Sequence, residues 1–338
     1  MNLIFLKTKA ARGPLFLVAS SLILLILLPA AITVGAANIE LPVIWEAITR
    51  YDSNILHHQI IRDIRIPREL SAALVGAAFA VAGAIMQGMT RNPLADSGLL
   101  GLNAGAALLL AICFAFFPGI PFIAMMAFSF LGAGVGASLV FGISFLVKGG
   151  LSPLRLTLAG AAVSAFLAAL AQGIALYANV AKELTFWIAG GVAVSTWDEI
   201  RWMAPIILIA LILALFISKQ ITILSFGHEV STGLGQNTLK VKAIAILVVL
   251  MLAGTAVATI GSIAFVGLIV PHIVRFFVGV DYRWVIPGSA VAGAILLVFA
   301  DILARTINPP FETPIGAIIS LISVPFFIYL TARGRKPL

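Results

Sequence analysis

Residues 64–88 read Ile-Arg-Ile-Pro-Arg-Glu-Leu-Ser-Ala-Ala-Leu-Val-Gly-Ala-Ala-Phe-Ala-Val-Ala-Gly-Ala-Ile-Met-Gln-Gly. Charge stops at Glu69 and does not return until Arg91. An uncharged apolar run of this length matches the roughly 20 residues that a helix needs to cross the hydrocarbon of a bilayer. Within it Ala72, Gly76, Ala80, Ala84 and Gly88 recur every four residues, so they share one helix face. Small residues in register form a groove that a second helix backbone can approach closely. The segment therefore reads as a membrane helix packed tightly inside a bundle.

The rest of the chain agrees. Of 338 residues, 62% are hydrophobic and 10% are charged, against about 25% charged in soluble domains. Apolar runs and breakers place about ten membrane helices, near 14–36, 64–88, 95–117, 121–147, 153–178, 199–218, 241–261, 264–279, 284–305 and 313–332. The fold class is all-α and polytopic, with one membrane domain over residues 1–338 and a polar loop at about 219–240 that cannot span. The run from Pro14 to Ala37 exceeds the 7–15 apolar residues typical of a signal peptide core, so it reads as a retained first helix. Residues 186–196 are too short to cross and are expected to re-enter the membrane or to lie at its surface. Asn92-Pro93-Leu94-Ala95-Asp96 and Asn308-Pro309-Pro310-Phe311-Glu312 echo each other faintly, as an inverted repeat would.

Lys and Arg give the orientation. With the N-terminus inside, fourteen of the 21 basic residues fall in inner segments, which puts both termini in the cytoplasm. The same asymmetry accounts for the net charge of +8 without a nucleic-acid partner. The single cysteine, Cys113, makes no intrachain disulfide.

Three features carry chemistry. Arg62, Arg65 and Arg68 stand three apart on the outer side, where basic residues are unusual. With Arg305 they read as a docking surface for an acidic partner, because Arg binds carboxylates in a bidentate fashion. The alternatives are a solvated helix end, an Arg68–Glu69 pair, or pairing of Arg305 with Asp301 one turn earlier. Residues 222–236 alternate apolar and polar side chains around three glycines, and read as one or two short helices packed into a groove of a soluble cytoplasmic protein. Residues 261–275 carry glycines and Pro271 that break a helix twice. His272 there reads as structural, and no metal site is expected. Phosphate-loop, His-Glu-x-x-His and Gly-x-Ser-x-Gly motifs are absent from the sequence, so no enzyme activity and no cofactor are expected. Asp301 is the clearest acid within a helix. A proton-coupled carrier built on it is the rival class, and a membrane scaffold that moves nothing is the other.

On these residues the chain resembles the FecCD-type permease family of ABC importers, which take up ferric siderophores, haem or cobalamin. The resemblance rests on Arg65-Ile66-Pro67-Arg68, Gly83, Gln87 and Arg91-Asn92-Pro93-Leu94-Ala95. It continues through Phe265-Val266-Gly267-Leu268-Ile269-Val270-Pro271-His272, Arg275, Asp281-Tyr282-Arg283, Pro287, Asp301, Arg305 and Glu312-Thr313-Pro314-Ile315-Gly316. It implies ten helices, a second permease subunit (the same chain or a similar one), an ATPase dimer that binds ATP and Mg, an extracytoplasmic binding protein and a ferric siderophore as cargo. It implies docking at Arg65, Arg68 and Arg305. It also implies ATPase contact through Gly227, His228, Glu229, Ser231, Leu234 and Gly235, although His228, Ser231 and Thr232 replace residues usual in that loop. Ser164 and Gln172 are the implied pathway-lining positions.

Overall fold

A computed structural model describes residues 3–35, 39–146, 153–189, 191–193, 195–309 and 311–333. Ala37, the end of the first apolar run, and Pro310 of the Asn-Pro echo lie outside those residues, as do the basic residues Lys148, Arg335 and Lys336 counted for orientation. Seven helices among them are long and apolar enough to cross a membrane, and three shorter apolar helices accompany them.

The small-residue helix is the centre. Helix α4 (Ile66–Thr90) continues a four-residue helix α3 (Leu56–Gln59) through a π-helical turn, Ile60–Arg65. The whole run Leu56–Thr90 is 83% buried over its most apolar window. Its groove receives α14 (Tyr282–Thr306). A Cβ on Gly76 would stand 2.7 Å from the carbonyl carbon of Gly293, and one on Gly293 2.9 Å from that of Gly76. Side chains at either position would force the helices apart. Around α4 also pack α9 (Trp197–Ser225), α11 (Thr238–Val249) and α13 (Val266–Val278). Helix α11 runs through a second π turn, Leu250–Gly254, into α12 (Thr255–Ile260).

A second group lies beside this core. A 3₁₀ turn, Ser97–Leu100, leads into α5 (Leu102–Phe116), which packs on α6 (Phe122–Leu146) and α7 (Pro153–Tyr177). Gly132 and Gly136 of α6 meet Gly105 and Gly101 of α5, so the two backbones approach closely there. Helix α1 (Leu3–Thr33) is peripheral and contacts α14 and α13, with Phe16 stacked on Phe277 of α13 at 5.4 Å. Short helices α2 (Leu41–Thr49), α8 (Ala181–Ala189) and α10 (His228–Gly233) lie between the long ones, and α15 (Ile315–Arg333) ends the described chain.

Several boundaries differ from the sequence reading. The second helical run begins at Leu56 rather than 64, because His57, His58 and the following residues continue the turn despite their polarity. Helix α9 continues past Lys219 to Ser225, since Ile217, Ile221 and Leu224 prolong its buried stripe while Lys219 and Gln220 face outward. The segment at 186–196 is not re-entrant backbone throughout: Phe186 to Ala189 complete α8, whose Leu184 is buried against α5.

Candidate functional site

At one end of the bundle the arginines turn inward. Arg65, Arg68 and Arg305 are 5%, 5% and 9% exposed, so none forms the open basic surface that their spacing suggested. The π turn is the cause. Its i→i+5 bonding shifts the phase of Arg62 relative to α4. Arg62 stays outside, over the Tyr51 ring at 4.5 Å, while Arg65 and Arg68 rotate into the core.

Each buried guanidinium is committed. Arg68 donates through Nε and Nη2 to the carboxylate of Asp301 at 2.8–3.0 Å, and through Nη1 to Glu312 Oε1 at 2.6 Å. Arg305 pairs with Asp301 Oδ2 at 2.9 Å and with Glu69 Oε1. It also donates to the carbonyls of Ala31 and Val34, and Arg65 donates to those of Ile32 and Thr33. The last carbonyls of a helix have no intrahelical donor, and a cation there also suits the helix dipole. Arg65 and Arg305 therefore cap α1. Three arginines and three carboxylates (Glu69, Asp301 and Glu312) share the cluster, and of the carboxylates only Glu312 is substantially exposed. The Asp301–Arg305 pairing considered from sequence is present. Arg68, however, bonds Asp301 and Glu312 rather than its neighbour Glu69. Glu69 and Glu312 are the members that sequence reasoning missed as a set, because their partners lie more than 200 residues away in the chain.

Arg68 and Glu312 also edge a cavity of about 620 Å³. Its walls are largely aromatic and apolar, including Phe114, Phe122, Phe186 and Trp187, with Lys182 and Glu183 among its polar residues. Thr259 and Ile260, the end of α12, line it as well. A chamber of this size and lining suits a bulky organic ligand with a few polar groups. The sequence flagged Phe186 and Trp187 only as an ambiguous apolar stretch. Ser164 and Gln172 do not line this cavity. Ser164 is half-buried, and Gln172 lies on the exposed face of α7. That face carries Ala161, Ala165, Ala169 and Gly173 at four-residue spacing, and a Cβ at Gly173 would meet nothing within 4 Å.

At the opposite end lies the loop between α9 and α11. Gly227 sits at φ +119°, a conformation glycine tolerates, and it turns the chain into α10. Ser231 is fully buried and donates to Gly227 O at 2.6 Å and to Ile223 O at 3.0 Å. It therefore locks α10 onto α9, so its hydroxyl is committed within the loop. His228, Glu229, Leu234 and Gly235 are exposed. Phe226 at the end of α9, Val230 in α10 and Leu234 just after it expose 58%, 47% and 65% of their surface, and of these the sequence reading named only Leu234 as a contact. Asp281 braces this end. It caps α14 by accepting from Arg283 N at 3.0 Å, and Tyr282 N donates to Thr222 of α9 at 2.9 Å. The Arg283 guanidinium beside Asp281 holds its carboxyl below the usual carboxylate value. Among the described residues no group of three or more His, Cys, Asp or Glu side chains is placed to hold a metal.

A many-helix membrane bundle with a cluster of buried ion pairs at one end, a chamber beside it and exposed apolar side chains in the loop at the other end has the parts of a transport subunit. The chain belongs to the FecCD transport family, whose profile matches residues 23–333. It is thus a multi-pass membrane protein of the ABC-importer permease class. It is 52% identical over 308 residues to the iron(3+)-hydroxamate import system permease protein FhuB of Bacillus subtilis, covering 91% of this chain and 80% of that one. The iron-uptake system permease protein FeuB of the same organism is 41% identical, with 94% and 93% covered. The hemin transport system permease protein HmuU of Yersinia pestis is 37% identical, with 96% and 97% covered. A solved inward-facing metal-chelate type ABC transporter superposes with a TM-score of 0.83 at 26% identity, covering 95% of this chain and 99% of that one.

Proposed function

We propose that this chain carries ferric hydroxamate siderophores inward across a bacterial cytoplasmic membrane, as the membrane-spanning subunit of an ATP-driven importer. The Arg68 end faces outward and both termini face the cytoplasm, which is the orientation the distribution of Lys and Arg favours. The observation that carries the reading is the 620 Å³ aromatic chamber under the Arg68–Glu312 pair, in a chain 52% identical to a ferric hydroxamate permease. Haem is the second reading, supported by the relative at 37% identity.

The cargo passes without chemical change. A soluble binding protein delivers it to the mouth, where an acidic group competes with the half-exposed Glu312 for Arg68. Arg65 and Arg305 hold the scaffold beneath. The exposed side chains of Phe226, Val230 and Leu234 seat in a groove of a separate ATPase subunit, and two such subunits hydrolyse ATP. A second permease subunit packs on the small-residue face of α7, which suits close helix contact, and so brings Gln172 and Ser164 toward a shared pathway. Cycling requires that ATP and the loaded binding protein favour different states of the bundle.

The test is ATP-dependent uptake into proteoliposomes that contain this chain, its ATPase and permease partners and its binding protein, given a panel of ferric hydroxamate, catecholate, citrate and haem. Uptake of the hydroxamate that requires ATP and outpaces the others is the expected result. Preferential haem uptake moves the cargo assignment. Uptake that ignores ATP and follows a proton gradient overturns the importer reading.

A further inference from the structure

Helix α13 begins without helical support. The five residues before it, 261–265, are irregular, with Gly261 at φ +83° and Phe265 at φ +70°. One turn into the helix stands Pro271, which has no backbone N–H. The carbonyl four residues earlier, Gly267 O, therefore has no intrahelical donor. A buried carbonyl left unsatisfied is costly, more so where no water reaches it.

Gln87 of α4 supplies the missing donor. It is 3% exposed, and its Nε2 lies 3.0 Å from Gly267 O and 3.2 Å from Leu268 O. Its Oε1 accepts from Arg275 Nη2, two turns further along the same α13. One amide thus holds both ends of a 13-residue helix. Gly83, one turn before Gln87, makes this reach possible. A Cβ on Gly267 would stand 3.1 Å from Gly83 Cα, and one on Gly83 would strike the Gly267 backbone. Four residues of the recognisable sequence pattern (Gly83, Gln87, Gly267 and Pro271) therefore serve one junction.

The junction lies on a continuous covalent and hydrogen-bonded route. Before α13, Ile260 lines the cavity and its carbonyl accepts from Gly191 N at 3.0 Å. After α13, Tyr282 bonds Thr222, near the end of α9, where Ser231 locks α10. Beside the covalent run through α11 and α12, which also joins α10 to Ile260, this second route carries a displacement of α10 to the segment after Ile260 only if α13 moves as a body.

We propose that Gln87 is a positioning residue for transport: its amide replaces the absent N–H of Pro271 and clasps α13 to α4, so that movement at the α10 loop is delivered to the cavity wall. The inference rests on the transport reading for its consequence, but not for its geometry.

The test is a double-mutant cycle of Gln87→Leu with Pro271→Ala in the assembled transporter. Pro271→Ala restores a backbone N–H to Gly267 O, which makes the amide donor redundant. In the native background Gln87→Leu is expected to lower ATP-driven uptake about tenfold, the factor equivalent to about 1.4 kcal/mol. ATP hydrolysis should stay within about twofold, so that uptake per ATP falls, a split that general unfolding does not produce. In the Pro271→Ala background the same substitution should cost less than about threefold. Gln87→Glu, which keeps the volume and the acceptor for Arg275 but loses the donor, should follow Gln87→Leu and covers the case in which Leu prevents folding. The unfolding midpoints of the four chains give the same cycle without transport. If the native complex shows no uptake, the transport reading fails while the midpoints still report on the clasp. An equal penalty for Gln87→Leu in both backgrounds, or uptake and hydrolysis falling in parallel, overturns the proposal.

Discussion

Replacing Asp301 by Ala should destabilise the chain severely, and the size of the effect follows from its surroundings. The Asp301 carboxylate is fully buried and holds Arg68 through three bonds of 2.8–3.0 Å and Arg305 at 2.9 Å. Its removal takes the carboxylate from between Arg68 and Arg305 and leaves these buried guanidiniums to share Glu69 and Glu312. Breaking a buried pair in this way typically costs about 3–5 kcal/mol. The double variant Arg68→Met/Asp301→Leu removes one charge of each sign. It should therefore be more stable than Asp301→Ala alone, since a buried pair replaced by apolar side chains is often close to neutral. The measurement is reversible unfolding of the purified chain in mixed micelles, followed by tryptophan fluorescence. A cost for Asp301→Ala below about 1 kcal/mol, the range of solvent-exposed pairs, would refute the buried-network argument. So would a double variant whose cost equals the sum of the two single ones. A further variant, Asp301→Asn, discriminates the proton-carrier class. A carboxylate that ferried protons would show the reverse in Asp301→Asn: stability kept, uptake lost, and the remaining wild-type uptake sensitive to an uncoupler.

Four further outcomes are expected. Gly293→Leu drives a side chain into the backbone of α4 at Gly76, and should destabilise by at least the 1–3 kcal/mol typical of overpacking, seen as loss of a monodisperse peak in size exclusion. Asp281→Ala removes the cap of α14, which should cost about 1 kcal/mol. Because the folded carboxyl is held below its ordinary value, the native contribution is full above about pH 3.9 and is lost as pH falls through the lowered folded value, so a pH series of unfolding midpoints for wild type and variant should converge only in acid. Phe226→Asp/Leu234→Asp places charges at two of the exposed apolar positions of the loop. It should leave the unfolding midpoint of the isolated chain unchanged within about 0.5 kcal/mol while abolishing ATP-driven uptake and retention of the ATPase on affinity resin. Glu312→Gln frees one edge of Arg68, and should tighten docking of the binding protein several-fold in surface plasmon resonance, an effect of about 1 kcal/mol; weaker docking would show that Glu312 itself is a contact.

Much of this architecture is local and so was legible in the chain. An uncharged run of membrane length, with Ala72, Gly76, Ala80, Ala84 and Gly88 on one face, must be a buried helix whatever surrounds it. The glycines and alternating polarity after Ile221 imply a short exposed helix, and the i, i+4 spacing of Asp301 and Arg305 makes their pairing geometrically available. Tertiary structure decided which faces meet. Arg62, Arg65 and Arg68 read as one outward row because the three-residue spacing assumes α-helical phase, and the π turn changes that phase by means no side-chain pattern announces. Arg68 bonds Asp301 across 233 residues, and Gln87 finds Gly267 across 180. The cavity likewise draws its walls from six separate stretches of chain between Arg68 and Ile315. Periodicity encodes which face of a helix is buried. The partner of that face is set by close packing, by the need of every buried carbonyl for a donor and of every buried charge for its opposite, and these conditions are met only between segments far apart in sequence.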